Sequence, residues 1–204
     1  MLLLPVRKID IKYTIWRFLL DFFFCIVAFF LFIPLTILLL ILNPFFNKGP
    51  IFYTQIRLGK NSKEFRLIKY RTMVVGAERG GAIWATENDV RVTSLGKFLR
   101  KFRIDELPQF INVIIFDINL IGPRAERPEL HELILKEVPN FSKRLKIKPG
   151  VTGHAQVVGG YSNDIEGARQ KLEFDLEYID KQSILFDLKI LYRTCREVLR
   201  GAGL

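Results

Sequence analysis

One stretch near the N-terminus constrains this chain more than any other feature of its sequence. Phe22–Leu42 is a run of 21 residues without a single Asp, Glu, Lys or Arg. As a helix, such a run would measure about 30 Å, which is the thickness of the hydrocarbon core of a bilayer. The run is longer than the apolar core of a signal peptide, and Asn43–Phe46 follows it in place of a small-residue cleavage site. The sequence therefore predicts a membrane segment that is not cleaved off.

The membrane segment carries a proline in its interior and positive charge on both sides. Pro34 lacks a backbone donor and clashes with the preceding turn, so we predict a break in the helix at Ile33–Pro34. Positive charge normally marks only the cytoplasmic side of a spanning helix. The basic residues here are Arg7, Lys8, Lys12 and Arg17 before the run, and Lys48, Arg57, Lys60 and Lys63 after it. A re-entrant helix would keep both groups in the cytoplasm, and a single spanning helix with a proline kink is the alternative.

The composition narrows the class of partner. The formal net charge of +10 and the isoelectric point of about 9.7 indicate an anionic partner, such as nucleic acid, acidic lipid or a phosphate-bearing substrate. Cys25 and Cys195 are too few for a disulfide framework or a four-cysteine zinc site. His131 and His154 are isolated in sequence and suit ordinary polar positions better than metal ligands.

Beyond Pro50 the sequence has the mixed pattern of a globular domain. We predict two short strands over 50–56 and 64–70, joined by turn-forming residues at 59–62. Helical patterns cover 90–102, 105–116, 165–179 and 183–199. The last of these has an apolar stripe that would either cover the core or lie on a membrane surface. The predicted fold class is α+β and mostly helical, with a short β-hairpin.

Two adjacent carboxylates, Asp105 and Glu106, directly follow a basic segment. Helix capping alone would explain them, because Asp is a favoured N-cap and both Glu and the nearby Pro108 suit a first turn. A second interpretation uses the same physics. A carboxylate beside cations at the start of a helix stays ionised and can act as a nucleophile where a phosphate would also bind. Spacing alone leaves both interpretations open.

Three further segments could contact a phosphate. Gly122–Pro128 holds Arg124 and Arg127 between a glycine and two prolines that restrain the backbone. A planar guanidinium can pair with two phosphate oxygens at once, whereas ion pairing with neighbouring glutamates is the alternative. Lys148–Gln156 is a second rigid loop, and Lys69–Met73 adds two cations at strand-like spacing. None of these segments is specific by itself.

Taken together and in this order, the segments resemble the monotopic phosphoglycosyl transferases, the bacterial sugar transferases that initiate exopolysaccharide, O-antigen and glycoprotein glycan assembly. The resemblance extends from about Tyr13 to about Leu199. Its landmarks are the hydrophobic helix with Pro34, Gly49–Phe52 with Gln55, Lys69–Met73, Arg103–Gln109, Gly122–Arg124 and Lys148–Gly153. Arg103 before the acidic pair, Glu126–Pro128 and Ala82–Asp89 most resemble the exopolysaccharide-type members.

The resemblance implies a membrane part over residues 1–48, with a re-entrant helix, and a catalytic domain over 49–204. The domain would rest on the cytoplasmic face of the bacterial inner membrane, with amphipathic helices at the interface. The implied reaction moves a phosphosugar from a UDP-sugar to undecaprenyl phosphate and releases UMP. The partners are therefore these two substrates and membrane lipid, with no nucleic acid, and a homodimer stays open.

The resemblance also assigns roles to residues. Asp105 would attack the β-phosphate of the donor to form a phosphosugar on its carboxylate, and Glu106 would assist the attack of the polyprenyl phosphate. Mg²⁺, held partly by Asp105, would neutralise the diphosphate. The candidate contacts to phosphate or nucleotide are Lys69, Arg71, Arg100, Arg124, Arg127 and Gln156.

The sequence departs from the usual family pattern in three places. Ala125 stands where a proline usually follows Gly-Pro-Arg, and His154 stands where tryptophan is common. Phe116–Asn119 replaces the usual Gly-Asp-Met-Ser. Because Asp105 and Glu106 are intact, these changes bear on nucleotide fit and sugar choice rather than on activity.

Two other classes of protein share some of these features. A polytopic polyprenyl phosphate transferase would need more than one hydrophobic segment. A membrane-anchored basic module that binds acidic lipid or nucleic acid would explain the charge and the anchor. It would leave the acidic pair and the clustered glycines and prolines without a purpose, so we expect an enzyme.

Overall fold

The fold is mostly helical with two small two-stranded sheets, which confirms the predicted class. The computed structural model describes residues 10–78, 89–159 and 164–201. The helices are α1 (Ile11–Phe46), α2 (Ser94–Lys101), α3 (Phe110–Ile114), α4 (Pro128–Glu137), α5 (His154–Val158), α6 (Ile165–Lys181) and α7 (Ile184–Arg200), with 3₁₀ helices at Lys60–Ser62, Ile104–Gln109 and Phe141–Lys146. The strands are β1 (Phe52–Leu58), β2 (Glu64–Tyr70), β3 (Asn119–Ile121) and β4 (Gly150–Thr152). Arg7, Lys8 and residues 82–88 of the exopolysaccharide-type segment lie outside the described residues.

The longest element, α1, is apolar around most of its circumference. Asp10 caps its start by accepting a hydrogen bond from Lys12 N at 3.1 Å. Most of its large apolar side chains are exposed, and it is the one helix in the described part of the chain that is long and apolar enough to cross a membrane. Such a surface indicates that the protein associates with a membrane through α1.

The helix runs through Ile33 and Pro34 without an interruption, in place of the predicted break. A proline removes one hydrogen bond and strains the preceding turn, but a helix can continue where neighbouring groups hold the turns on both sides. Here the Phe32 ring stacks on the Tyr70 ring with centroids 6.0 Å apart, and the Thr36 hydroxyl lies 2.7 Å from the Tyr70 hydroxyl. Contacts with β2 therefore hold the helix immediately before and after the proline.

One stripe along α1 contacts the globular part of the protein from its first turns to its last. Near the start, Arg17 donates a hydrogen bond to Ile121 O at 2.5 Å. In the middle, the Phe29 and Phe110 rings lie 6.5 Å apart. Near the end, Leu39 is buried among residues of β2 and α2. Both halves of α1 thus lie against the same domain.

β1 and β2 form the predicted antiparallel hairpin, with β1 shifted by two residues toward the C-terminus. Asn61 has a φ of 56°, which is the left-handed conformation that a tight turn requires. Tyr53 lies opposite Lys69, and Arg57 lies opposite Phe65. Since directly opposed residues share a face and side chains alternate along a strand, Arg57 and Lys69 project from the same side of the hairpin.

The helix predicted over 105–116 is split into two parts. Its first part is the 3₁₀ helix Ile104–Gln109, and only Phe110–Ile114 is an α-helix. Tight 3₁₀ turns are common at the start of α-helices. Arg103 precedes them with a φ of 54°, which turns the chain sharply after α2. The turn places the two carboxylates in the interior.

Candidate active site

Asp105 and Glu106 lie side by side in the 3₁₀ helix, and both are buried. Their exposed fractions are 8% and 7%. The N-cap of this helix is Arg103, so capping does not account for Asp105. Buried carboxylates need cationic or hydrogen-bonding partners, or else their pKa rises. The two carboxylates differ in this respect, because the pKa of Glu106 is lowered and the pKa of Asp105 is raised.

Glu106 is surrounded by cations from three segments of the chain. Lys69 Nζ and Arg124 Nη1 each lie 3.0 Å from Glu106 Oε1, and Arg103 Nη1 lies 4.0 Å from Glu106 Oε2. Burial alone would raise the pKa of Glu106, but these three charges hold it well below its usual range. Glu106 is therefore ionised, and it keeps Lys69 and Arg124 next to each other.

Asp105 differs from Glu106 in its contacts with cations. Within the described residues its carboxylate forms no ion pair of the kind that Glu106 makes. Burial raises the pKa of Asp105; Lys69 and Arg100 oppose this shift, and the negative charge of Glu106 adds to it. Asp105 is consequently the more basic carboxylate of the pair, and its oxygens are not held by the cations that hold Glu106.

Lys69 is positioned by a buried asparagine. The Asn112 side chain, which is fully buried, donates to Arg66 O at 2.8 Å and accepts from Ile68 N at 3.0 Å. These bonds fasten the edge of β2 to α3. The adjacent residue of the strand is Lys69, which therefore projects toward the carboxylates from a rigid backbone.

Arg124 is positioned by a close approach of two loops. Gly122 N donates to Thr152 O at 2.8 Å, and Gly150 N donates to Pro123 O at 2.9 Å. A Cβ atom on Gly150 would lie 2.1 Å from Gly122 N, so the approach requires glycine. The parallel pairing of β3 with β4 thus holds the Gly-Pro-Arg segment beside Glu106.

A small cleft with a cationic wall lies beside this ion pair. It is lined by Arg57, Leu67, Gln109, Ile118, Arg124, Ala125 and Gly150. The Arg57 guanidinium donates to Ala125 O at 3.0 Å and to Gln55 Oε1 at 2.5 Å, while its buried Nε has no partner among the described residues. Burial lowers the pKa of Arg57 to about 10, and repulsion by Arg124 adds to this shift. Arg57 and Arg124 thus give the wall of this cleft a positive charge.

Arg71, one of the predicted phosphate contacts, is not among the cations that pair with Glu106. Its side chain donates to Pro50 O at 2.6 Å, to Asn47 Oδ1 at 2.8 Å and to Met73 O at 2.7 Å. It is buried, and its bonds fasten the end of α1 to the segment after β2. Neighbouring oxygens occupy donors of the Arg71 guanidinium, and its role as a phosphate contact stays a prediction.

The other three predicted contacts are spread around the site. Arg100 donates to Thr72 Oγ1 at 2.9 Å, and its charge acts on Asp105. Arg127 lies close enough to repel Arg57 and is paired with Glu78 at 3.0 Å. Gln156 donates to Val151 O at 3.1 Å and is not among the residues that contact the carboxylates.

Sequence reasoning missed Arg57 and the contact between Arg103 and Glu106. The position of Arg57 in the sequence indicates only the basic flank of the membrane segment. The alternation of β1 could have placed it with Lys69 once the hairpin register was known. The spacing of three residues between Arg103 and Glu106 would indicate a contact in a helix, but the left-handed φ of Arg103 has no signal in the sequence.

Comparison with known proteins identifies the family. A family model described as bacterial sugar transferase matches residues 12–201. A UDP-N-acetylgalactosamine-undecaprenyl-phosphate N-acetylgalactosaminephosphotransferase of Aeromonas hydrophila is 40% identical over 183 residues, which cover 90% of this chain and 43% of the relative. A UDP-glucose:undecaprenyl-phosphate glucose-1-phosphate transferase of Escherichia coli K12 is 39% identical over 150 residues, which cover 72% of this chain and 32% of the relative. The chain thus spans less than half the length of these relatives. It belongs to the bacterial sugar transferase family.

Proposed function

We propose that this protein transfers a phosphosugar from a UDP-sugar to undecaprenyl phosphate and releases UMP. The observation that carries the proposal is the buried pair of Asp105 and Glu106. Glu106 forms ion pairs with Lys69 and Arg124, whereas Asp105 takes no part in these ion pairs and has a raised pKa. The named relatives act on UDP-sugars and undecaprenyl phosphate, which supports the same substrate class here. The product would be a polyprenyl diphosphate-linked sugar, the first membrane-bound intermediate of a glycan.

In the first step, an Asp105 oxygen attacks the β-phosphorus of the donor. A bond forms between this oxygen and phosphorus, the bond from phosphorus to the bridging oxygen breaks, and UMP leaves with that oxygen. The raised pKa of Asp105 supports this role, because a more basic carboxylate is a better nucleophile. Lys69, Arg124 and Arg57 supply positive charge for the diphosphate.

In the second step, the phosphate of the lipid carrier attacks the same phosphorus and releases Asp105. Glu106 would assist this attack. Lys69 and Arg124 lower its pKa, and an anion bound to both would weaken their hold on it. Glu106 would then accept a proton more readily than it does without substrate.

Mg²⁺ would bind at this site together with the substrate phosphates rather than in a site formed by protein ligands alone. No group of three or more His, Cys, Asp or Glu residues suited to a metal ion occurs in the described ranges. Mg²⁺ is commonly held by one or two carboxylates together with substrate phosphates, and Asp105 would supply such a ligand. Bound there, it would neutralise charge on the diphosphate.

We propose that α1 follows a re-entrant path with the domain on the cytoplasmic face, even though its helix continues through Pro34. Arg17 and Leu39, near opposite ends of the helix, both contact the domain. An exposed position before Trp16, Ile11→Cys, tests this path in a background without Cys25 and Cys195. An impermeant maleimide should label it only after the cells are opened. Labelling of intact cells would contradict the re-entrant path.

The reaction is tested by incubating the purified protein with magnesium, undecaprenyl phosphate and a panel of UDP-sugars, and measuring UMP. We expect UMP with at least one sugar, and a stoichiometric release of UMP with that sugar when the carrier is omitted. Release of UDP instead would indicate ordinary glycosyl transfer. UMP that requires the carrier even in a single turnover would contradict the covalent intermediate.

A further inference from the structure

The side of the β1–β2 hairpin that carries Lys69 also carries a row of polar side chains on β1. Tyr53 lies opposite Lys69, and Gln55 and Arg57 follow Tyr53 at every second position of the strand. Since side chains alternate along a strand, these residues of β1 project from the same side as Lys69. The row ends at Arg57, which lines the cleft beside the carboxylates.

Glu78 joins this row from the segment after β2. Its Oε2 accepts hydrogen bonds from the Tyr53 hydroxyl at 2.5 Å and from Gln55 Nε2 at 3.0 Å, and its Oε1 lies 3.0 Å from Arg127 Nη1. Burial and the hydrogen bond to Glu78 raise the pKa of Tyr53 to about 12, so the hydroxyl keeps its proton and donates. Most side-chain hydrogen bonds in proteins are made to backbone or water, whereas both oxygens of Glu78 bind side chains.

Glu78 fixes the orientation of the Gln55 amide. An amide has a donor end and an acceptor end. Because Gln55 Nε2 donates to Glu78, Gln55 Oε1 faces the other way and accepts from Arg57 Nη2 at 2.5 Å. Rotation of the amide by half a turn would bring its oxygen against the carboxylate and its NH₂ group against the guanidinium, and both contacts would be repulsive. The Glu78 carboxylate therefore decides which atom Gln55 presents to Arg57.

Arg57 needs this contact because it lies close to other positive charges. Burial and the charges of Arg124 and Arg127 lower the pKa of Arg57, whereas the charge of Glu78 opposes this shift. Guanidinium groups that repel each other move apart unless neighbouring acceptors hold them. Gln55 supplies such an acceptor, while the buried Arg57 Nε has no partner in the part of the chain that the structure describes. This unpaired donor indicates that Arg57 binds a group that the protein itself does not provide.

We propose that Glu78 is a positioning residue of the candidate active site. Acting through Gln55, it holds the Arg57 guanidinium in the cleft in the position where it receives the diphosphate of the donor. The inference deepens the proposed function and rests on it for the identity of that anion. Donors that are already ordered bind an anion without the entropic cost of ordering them on binding. If Glu78 only neutralised the arginines, its removal would have the opposite effect, because the loss of a negative charge would tighten anion binding.

The test measures the affinity of the detergent-purified full chain for UDP by isothermal titration calorimetry. Glu78→Met has a side chain of similar length without a strong acceptor, so Gln55 loses its fixed orientation and UDP should bind about 10-fold more weakly. Glu78→Gln keeps one acceptor oxygen for Gln55 and should weaken binding only about 2- to 3-fold. The control is Glu177→Met on α6, where a 40% exposed glutamate also pairs with neighbouring side chains. This variant should leave the UDP affinity unchanged.

A double-mutant cycle separates this role from a purely structural one. In an Arg57→Met background, Glu78→Met should weaken UDP binding by no more than about 2-fold, because its effect passes through Arg57. Gln55→Leu interrupts the same connection without changing a charge. It should reproduce the loss seen in Glu78→Met, and the two losses should not add. Thermal unfolding in the same detergent identifies any variant that has lost its fold.

Three results would overturn the proposal. A UDP affinity that is unchanged or higher in Glu78→Met would assign Glu78 to charge neutralisation alone. Losses that add in the cycles with Arg57 and Gln55 would mean that Glu78 acts by another route. A wild-type chain that binds no UDP would mean that Arg57 is not held for a diphosphate. Because UDP binding requires no turnover, these results are distinguishable from a failure of the proposed reaction, which UMP release decides.

Discussion

This protein contains two clusters of buried charged side chains that differ in how their carboxylates are paired. The comparison distinguishes carboxylates that stabilise the fold from a carboxylate that is a candidate for catalysis. In the Arg144 cluster, the fully buried Arg144 donates to Asp175 Oδ2 at 2.7 Å and to Glu126 Oε1 at 3.4 Å. Lys171 Nζ lies 3.1 Å from the same Glu126 oxygen. Each carboxylate of this cluster is thus held by a cation.

The Asp105–Glu106 site contains the same kinds of group but leaves one of them loosely held. Glu106 resembles Glu126 of the Arg144 cluster, because nearby cations hold the pKa of each carboxylate below its usual range, whereas burial raises the pKa of Asp175 even though Arg144 opposes this shift. Burial lowers the stability of the ionised form of Asp105, and no ion pair within the described residues offsets this. Buried groups whose pKa values are strongly shifted concentrate at functional sites, where stability is often sacrificed for activity. Asp105 is therefore the group to test first.

The largest expected effect is on turnover by Asp105→Asn. Because Asp105 is the proposed nucleophile, UMP release should fall by at least about 10⁴-fold. Thermal unfolding in the same detergent should occur at an equal or higher temperature, because the substitution removes a buried charge that burial disfavours. A clear loss of stability would mean that Asp105 is held as firmly as the Arg144 cluster.

Arg144→Met should show the opposite behaviour. It leaves Asp175 buried without the cation that pairs with it and leaves Glu126 with Lys171, and breaking such a buried pair costs about 3–5 kcal/mol of stability. The activity of the protein that remains folded should change little. Arg169→Met, the same substitution at a half-exposed arginine, is the control and should cost about 1 kcal/mol or less. Equal losses in both variants would remove the distinction between the two positions.

Glu106→Gln should reduce both stability and turnover. The loss of turnover should be smaller than in Asp105→Asn, and the loss of stability should be smaller than in Arg144→Met. Lys69 and Arg124 would lose their negative partner, so stability should fall by about 1–3 kcal/mol. UMP release should fall about 10²-fold, because the positions of both cations and the assistance by Glu106 are impaired. Wild-type turnover with reduced stability would assign Glu106 to structure alone.

The smallest expected effect is in the pH dependence of stability. The folded-state pKa of Asp105 is raised, so its contribution to stability is fully present at low pH and is lost as the pH rises through that pKa. The stability advantage of Asp105→Asn over wild type should therefore shrink when the pH is lowered from 7.5 toward the ordinary carboxylate range. The decrease should be about 1.4 kcal/mol for each pH unit that separates the folded-state pKa of Asp105 from its pKa in the unfolded chain. Unfolding midpoints at several pH values measure this, and an advantage that is constant with pH would contradict the raised pKa.

The features that the sequence predicts well are those encoded by neighbouring residues. The uncharged run of α1, the β1–β2 hairpin, α6 and α7 follow from local hydrophobic period and turn chemistry, and the ordered motifs around Asp105 indicate the family. The continuity of α1 through Pro34 was not predictable in this way. It depends on contacts with Tyr70, which lies 36 residues further along the chain.

The assignment of charges to roles was decided by tertiary structure alone. The sequence contains Arg71 and Arg57 as similar basic residues, yet the first fastens α1 and the second lines the cleft. Likewise, two adjacent carboxylates differ because segments distant in the chain bring their cations to Glu106 and leave Asp105 out of those ion pairs. Sequence determined which chemical groups this protein has and its family. Burial and distance, which arise only when distant segments pack together, decided which of those groups form ion pairs and which line the candidate site.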